Sequence, residues 1–154
     1  RTRRAARIPA GGGGGDGMDR ALVIGASGGL GAALAEALEG GGLRVARLSR
    51  RDGGPDLRDP SALDAALAAQ DGPFAQVWVA TGLLAPEGRA PEKALREIDA
   101  AALAEVLAVN TVAPALVLRH APRLLPRREP SLLAVLSARV GSIGDNRLGG
   151  WHAY

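Results

Sequence analysis

One stretch, Ala21-Leu22-Val23-Ile24-Gly25-Ala26-Ser27-Gly28-Gly29-Leu30-Gly31, constrains this chain more than any other. Ala21 to Ile24 form a short apolar run, the mark of a central parallel strand. Gly25 ends it. Leu30, Leu34, Ala37 and Leu38 then share one face of a helix, with the glutamates on the other. Gly40 to Gly42 stop that helix.

A strand, a glycine turn and a helix in that order suit phosphate binding. A diphosphate reaches backbone N–H groups closely only where no Cβ intervenes, and a helix N-terminus adds donors and partial positive charge. Gly25 allows the sharp turn, Gly29 the close approach and Gly31 the packing of helix on strand. Ser27 can add a hydroxyl donor. The glycines fit GxxxGxG through Gly25, Gly29 and Gly31, and GxxGxxG through Gly25, Gly28 and Gly31. The competing reading is a tight turn with no ligand, because the chain is glycine-rich throughout.

Charge narrows the partners. Arg1, Arg3, Arg4 and Arg7 against Asp16 give residues 1–17 a net +3, equal to that of the whole 154-residue chain, so residues 18–154 sum to zero. The basic character belongs to a tail, and the domain has no charge excess for nucleic acid. Residues 1–17 carry a five-glycine run without hydrophobic periodicity and are expected to be disordered. Such an arginine-rich segment is either a transit peptide or, more simply, sequence upstream of Met18 or a linker. With 47% of the whole chain apolar, residues 18–154 can bury one core. There is no cysteine, hence no thiolate metal site, and no uninterrupted apolar run spans a bilayer. The expected setting is cytoplasmic, with no metal, nucleic-acid or membrane partner.

Downstream, residues 43–48 alternate and read as a second strand. Beyond such a strand a carboxylate binds the ribose 2′-hydroxyl of NAD, and an arginine accommodates the 2′-phosphate of NADP. Arg50 and Arg51 there favour NADP(H), while Asp52 leaves NAD open. A helix follows from Ala62 to Gln70, capped by Asp59 or Ser61. Residues 75–80 form a third strand, ended by Thr81-Gly82, where Gly82 again admits a ligand to the backbone. Trp78 reads as core. Helix signals recur over Glu92 to Ile98, and a longer helix runs from about Ala100 to Val117, kinked at Pro114. Asn110 is the polar exception on its apolar face and needs a partner. Pro122, Pro126 and Pro130 mark the exit. Residues 131–136 are a fourth strand, leading into Ser137-Ala138-Arg139-Val140-Gly141-Ser142, where polar residues at a strand's C-terminal end meet ligands. Ile143 to Tyr154 is a glycine-rich loop, with a further helix starting near Trp151.

Four segments in this order resemble the classical short-chain dehydrogenase/reductases, in the branch of small carbonyl reductases that includes C-factor-like proteins. They are the Gly25–Gly31 turn, Val109-Asn110-Thr111-Val112-Ala113-Pro114, Leu136 to Ile143, and Tyr154. The resemblance covers residues 18–154. It implies a doubly wound parallel sheet of Rossmann type and an NADP(H)-dependent interconversion of a small carbonyl compound and its alcohol. It also implies a cofactor shell of Gly25, Ser27, Gly29, Leu30, Gly31, Arg50, Arg51, Asp56, Leu57 and Gly82. An Asn–Ser–Tyr–Lys set does the family's chemistry. Carried over, Tyr154 protonates the carbonyl oxygen, Ser137 holds that oxygen, and Asn110 holds a relay water and the local helix geometry. The lysine lies four residues past the tyrosine and lowers the phenol's pKa by several units from about 10. Ending at Tyr154, the chain reads as an inactive fragment of a homo-oligomeric parent.

Three positions depart from the family pattern. Many relatives have Ser-Ser where Ser137-Ala138 stands, so the usual serine position is Ala138, and Ser137 or Ser142 substitutes. The Asn-Ala-Gly after the equivalent strand is Ala80-Thr81-Gly82 here. GxxGxxG with a later tyrosine also resembles the extended sugar-nucleotide epimerases, although loop lengths and Asn110 favour the classical branch. A second reading is a dinucleotide-binding sensor or signalling protein without turnover.

Overall fold

The computed structural model describes residues 17–145, 147 and 149–154. The expectation for residues 1–16 lies outside them. Gly17, grouped with the tail on composition, is buried at φ +97, and its carbonyl accepts from Arg20 N at 3.2 Å and Ala75 N at 3.0 Å.

Four strands form one parallel sheet: β1 (Arg20–Ile24), β2 (Arg44–Leu48), β3 (Gln76–Val79) and β4 (Leu132–Val135), in the order β2-β1-β3-β4. Leu22 pairs with Ala46 on one side and Val77 on the other. The chain moves from β1 outward to β2 and then crosses back to the far side of β1. The β1/β3 junction is therefore the point where winding reverses, and ligands bind at such a crevice in open α/β sheets.

Period-2 alternation along β1 assigns its side chains to opposite layers. Leu22 and Ile24 pack with Leu63 and Leu67 of α2 (Pro60–Ala68) and with Val117 and Leu124 of α4 (Ala113–Leu124). Ala21 and Val23 pack with Ala35 and Leu38 of α1 (Gly29–Gly40), and Trp78 joins that layer. With helices on both faces, the sheet is doubly wound. Asp59 caps α2, its carboxylate accepting from Ser61 N at 2.9 Å and Ala62 N at 3.0 Å. Asp59→Ala is expected to cost about 1 kcal/mol of stability in urea melts.

Several expectations are corrected. Residues 92–98 make only a 3-10 turn over Leu95–Glu97, because packing draws Glu92 inside instead of leaving it on a solvated helix face. The long helix is α3 (Ala100–Leu107), a π-helical turn over Ala108–Val112, and α4, continuous to Leu124. Pro114 cannot donate to the Asn110 carbonyl, and the wide turn sits immediately before it. Pro122 lies inside α4 and does not end it; the carbonyl its ring leaves without a donor belongs to the exposed Leu118. The 25 residues Ala100–Leu124 are also long and apolar enough, by length and composition, to cross a membrane, which a search for uninterrupted runs misses. Val106, Ala113, Val117 and Leu124 of this stretch are buried within the fold. No helix starts at Trp151, which has φ +54.

Candidate functional site

The glycines of the first crossover serve different needs. Gly25 turns the chain at φ +87, and a Cβ there would lie 2.6 Å from the Ala80 carbonyl oxygen. A Cβ on Gly31 would lie 2.1 Å from the Gly25 carbonyl oxygen. Both are glycine because protein backbone occupies the space. Gly29 differs: a Cβ there meets no atom of the other described residues within 4 Å.

That open position lies in the first turn of α1. Asp59 caps α2 and Asp99 caps α3, but α1 begins at Gly28 with no side-chain cap and no acidic residue in its first turn. The first backbone bond of its opening turn is Ala32 N to the Gly28 carbonyl, 2.8 Å. The N–H groups of Gly29, Leu30 and Gly31 meet no acceptor among the described residues. They leave a set of donors and the positive end of a helix dipole for a group from outside.

Beside the glycine turn, at the C-terminal ends of β1, β2 and β3, is a cleft of about 320 Å³. Gly25, Ser27, Arg50, Asp56, Leu57 and Gly82 border it. Gly29, Leu30 and Gly31 are not on its walls, and Leu30 is 75% exposed. Arg51 is also off the walls, with Nη1 3.5 Å from the Ser27 carbonyl oxygen. Asp52 accepts from the Ser49 hydroxyl at 2.5 Å.

Arg58, Thr81, Glu105 and Val109 also border the cleft, and none of them was among the expected cofactor residues. Thr81 and Val109 adjoin Gly82 and Asn110, a usable signal. Thr81 Oγ1 is buried with no partner among the described residues. Arg58 and Glu105 gave no local signal, since their contact joins positions 47 residues apart.

Hydrogen bonds from Arg58 hold the Asp56 carboxyl at about 2, with Arg50 adding attraction. A carboxyl whose folded pKa lies below its unfolded value stabilises the fold above the unfolded pKa and loses that share as pH falls through the folded one. Asp56→Asn is therefore expected to be less stable than the parent near neutral pH and to converge on it between about pH 4 and pH 2. Exposure of the pair keeps the difference small. Urea melts across that range measure it, and a gap independent of pH would refute the charge effect.

The three residues of the implied catalytic set are not brought together. Asn110 uses its amide on the backbone of Leu83: Nδ2 donates to the Leu83 carbonyl at 2.9 Å, and Oδ1 accepts from Leu83 N at 2.8 Å. This clasp holds the chain leaving β3, where Thr81, Gly82 and Leu83 wall the cleft. Ser137 is exposed just past β4, beside β3 through Leu136 N to the Val79 carbonyl at 2.9 Å. Tyr154 packs edge-on against Trp151, centroids 6.1 Å apart, on a segment docked to Glu92 through Trp151 N. Neither Ser137 nor Tyr154 borders the cleft, and no hydrogen bond joins any two of the three.

No family model matches the chain, and no curated protein does. Solved structures do. A protein assigned as a short-chain dehydrogenase/reductase from Burkholderia multivorans, with bound NADP, superposes with a TM-score of 0.75 at 26% identity, over 88% of this chain and 65% of that one. A short-chain alcohol dehydrogenase assignment from the same organism gives 0.74 at 26% identity, over 88% and 69%. A carbonyl reductase from Pseudomonas aeruginosa PAO1 gives 0.67 at 22%, over 81% and 64%, a likeness of fold. The chain thus has the dinucleotide-type α/β fold of short-chain dehydrogenase/reductases and spans about two thirds of the length of the first two.

Proposed function

We propose that the chain is the cofactor-binding part of an NADP(H)-dependent short-chain dehydrogenase/reductase, of the C-factor-like carbonyl-reductase branch, that interconverts a small carbonyl compound and its alcohol. The observation that carries this is the uncapped N-terminus of α1, open at Gly29, beside a cleft at the winding reversal of the sheet. The bound NADP reported for one structural neighbour supports the cofactor.

The residues present fit the dinucleotide. The N–H groups of Gly29, Leu30 and Gly31 would hold its diphosphate, with Ser27 beside them. Arg50 and Arg51 would hold the 2′-phosphate, since Asp52 faces Ser49. Asp56 and Leu57 would lie at the base end, and Gly82 would leave the sheet end open to close approach, with Gly25 beside it on the cleft wall. When bound, the nicotinamide supplies or accepts a hydride. In the whole protein Ser137 Oγ holds the substrate oxygen, and Tyr154 Oη gives it a proton. Asn110 keeps the Leu83 loop in register for both. Residues 18–154 form the domain, and the whole protein is a cytoplasmic homo-oligomer.

Titration with NADPH, followed by nicotinamide fluorescence, tests the binding step. Saturable binding, tighter for NADPH than NADH, is expected, and a folded sample that retains neither would overturn the reading. Carbonyl-dependent NADPH oxidation by a version extended through the lysine tests the chemistry. Binding with no turnover there would leave a non-catalytic dinucleotide sensor.

A further inference from the structure

A second cavity, of about 190 Å³, lies between residues 84–99 and the first turns of α3. It shares no residue with the cleft described above: Leu83 walls one and Leu84 the other. Asn110, Ser137 and Tyr154 do not border it. Leu84, Pro86, Ala102 and Val106 give it apolar surface. Its charged residues are Glu92, Glu97 and Asp99 against Arg89. Two of these acids are already engaged. Asp99 accepts from Ala102 N at 2.9 Å and pairs with Arg89 at 2.8 Å, and these contacts hold its carboxyl below the usual carboxylate range. Glu97 accepts from Lys93 N at 2.9 Å. Glu92 differs. It is 8% exposed, and its Oε2 is buried with no hydrogen-bond partner among the described residues. Arg89, the cation of the cavity, is committed to Asp99. The backbone of Glu92 is held, its carbonyl accepting from Trp151 N at 2.5 Å. A carboxylate taken out of water needs donors or a counter-ion.

We propose that this cavity binds a small alkylammonium ion, whose head pairs with Glu92 and whose short chain lies against Leu84, Pro86, Ala102 and Val106. An ammonium brings three donors and no acceptor, which is what an unpartnered carboxylate lacks. An anion would meet three acids against one base. Size limits the rest of the ligand. Drug-sized molecules occupy about 300–1,000 Å³, so this cavity takes a chain of only a few carbons. The site stands apart from the dinucleotide reading and does not depend on it.

Calorimetric titration of the full 154-residue chain with n-butylammonium chloride tests this. At about pH 7 the amine carries its charge. Saturable binding at a single site is expected. Two further ligands need no variant. The alcohol n-butanol has the same chain without the charge, and tetrabutylammonium has the charge without N–H donors and exceeds the cavity. Each should bind at least about tenfold more weakly. Glu92→Gln keeps the shape and removes the charge, and should weaken n-butylammonium at least about tenfold. Its thermal melt without ligand should hold or rise, because a buried charge without a partner is gone. A folded parent that shows no saturation with n-butylammonium would overturn the proposal. So would equal affinity in Glu92→Gln, or equal affinity for n-butanol or tetrabutylammonium, since the carboxylate, the charge or the enclosure would then be idle. NADPH titrations of the same samples keep the two readings apart: amine binding without NADPH binding fails only the dinucleotide reading, and the reverse fails only this one.

Discussion

Gly31→Ala is expected to unfold the first crossover, whereas Gly29→Ala should fold normally and lose the dinucleotide. The two positions are two residues apart on one helix turn, yet their surroundings are opposite. A methyl group at Gly31 lands 2.1 Å from the carbonyl oxygen of Gly25, which is backbone and cannot swing aside. Relief requires α1 to move off β1, disturbing the layer of Ala21, Val23, Ala35 and Leu38. Overpacking against fixed backbone costs about 3 kcal/mol or more, a large share of a total of roughly 5–15 kcal/mol. Thermal melts should show a drop of about 6–12 °C. At Gly29 a methyl group meets nothing among the other described residues. Alanine also favours a helix over glycine by up to about 1 kcal/mol, so the melt should hold or rise. The methyl then stands where the diphosphate must approach, and NADPH affinity should fall at least about tenfold, or 1.4 kcal/mol. Undiminished affinity in Gly29→Ala would remove the phosphate from this turn.

Asn110→Leu should be the second large effect. It deletes both bonds of the clasp on Leu83 while nearly preserving volume. Two part-buried backbone groups lose their partners, at a cost of about 1–3 kcal/mol, and the Gly82–Leu83 wall of the cleft is released. Binding should weaken along with stability. Asn110→Asp separates donor from acceptor. One carboxylate oxygen can still accept from Leu83 N, but the other faces the Leu83 carbonyl with no proton between them. That variant should bind poorly at neutral pH and recover as the pH falls and the carboxyl protonates. Titrations near pH 5 and pH 8 measure this, and equal affinity at both would mean that the amide's donor is idle.

Much of the fold was legible in the sequence. Every expected strand lies within one residue of where it forms, because β1, β3 and β4 are short, mainly apolar runs and β2 alternates, each bounded by glycine or a polar turn. The cap on α2 was readable down to a choice of two residues, and Asp59 has it. Local signals misled where burial overrode them. Glu92 to Ile98 has helical composition, yet Glu92 is drawn inside at 8% exposure and the segment closes only a 3-10 turn over Leu95–Glu97. The prolines of the long helix were read as a kink and an exit. A π turn precedes Pro114, and solvent beside Leu118 can serve the carbonyl that Pro122 leaves free.

The candidate site divides along the same line. Sequence alone determined the four strands, the glycine turn and the arginine pair after β2, since each is written in adjacent residues. Only the tertiary structure decided that Asn110 grips Leu83, that Arg58 bridges to Glu105, and that Tyr154 rests on Trp151 and not beside Ser137. Those contacts join residues brought together by the crossover from β2 past β1 to β3, or by the docking of the last segment on Glu92. A side chain's partner across such a distance depends on where the sheet places both ends, and no local pattern records that.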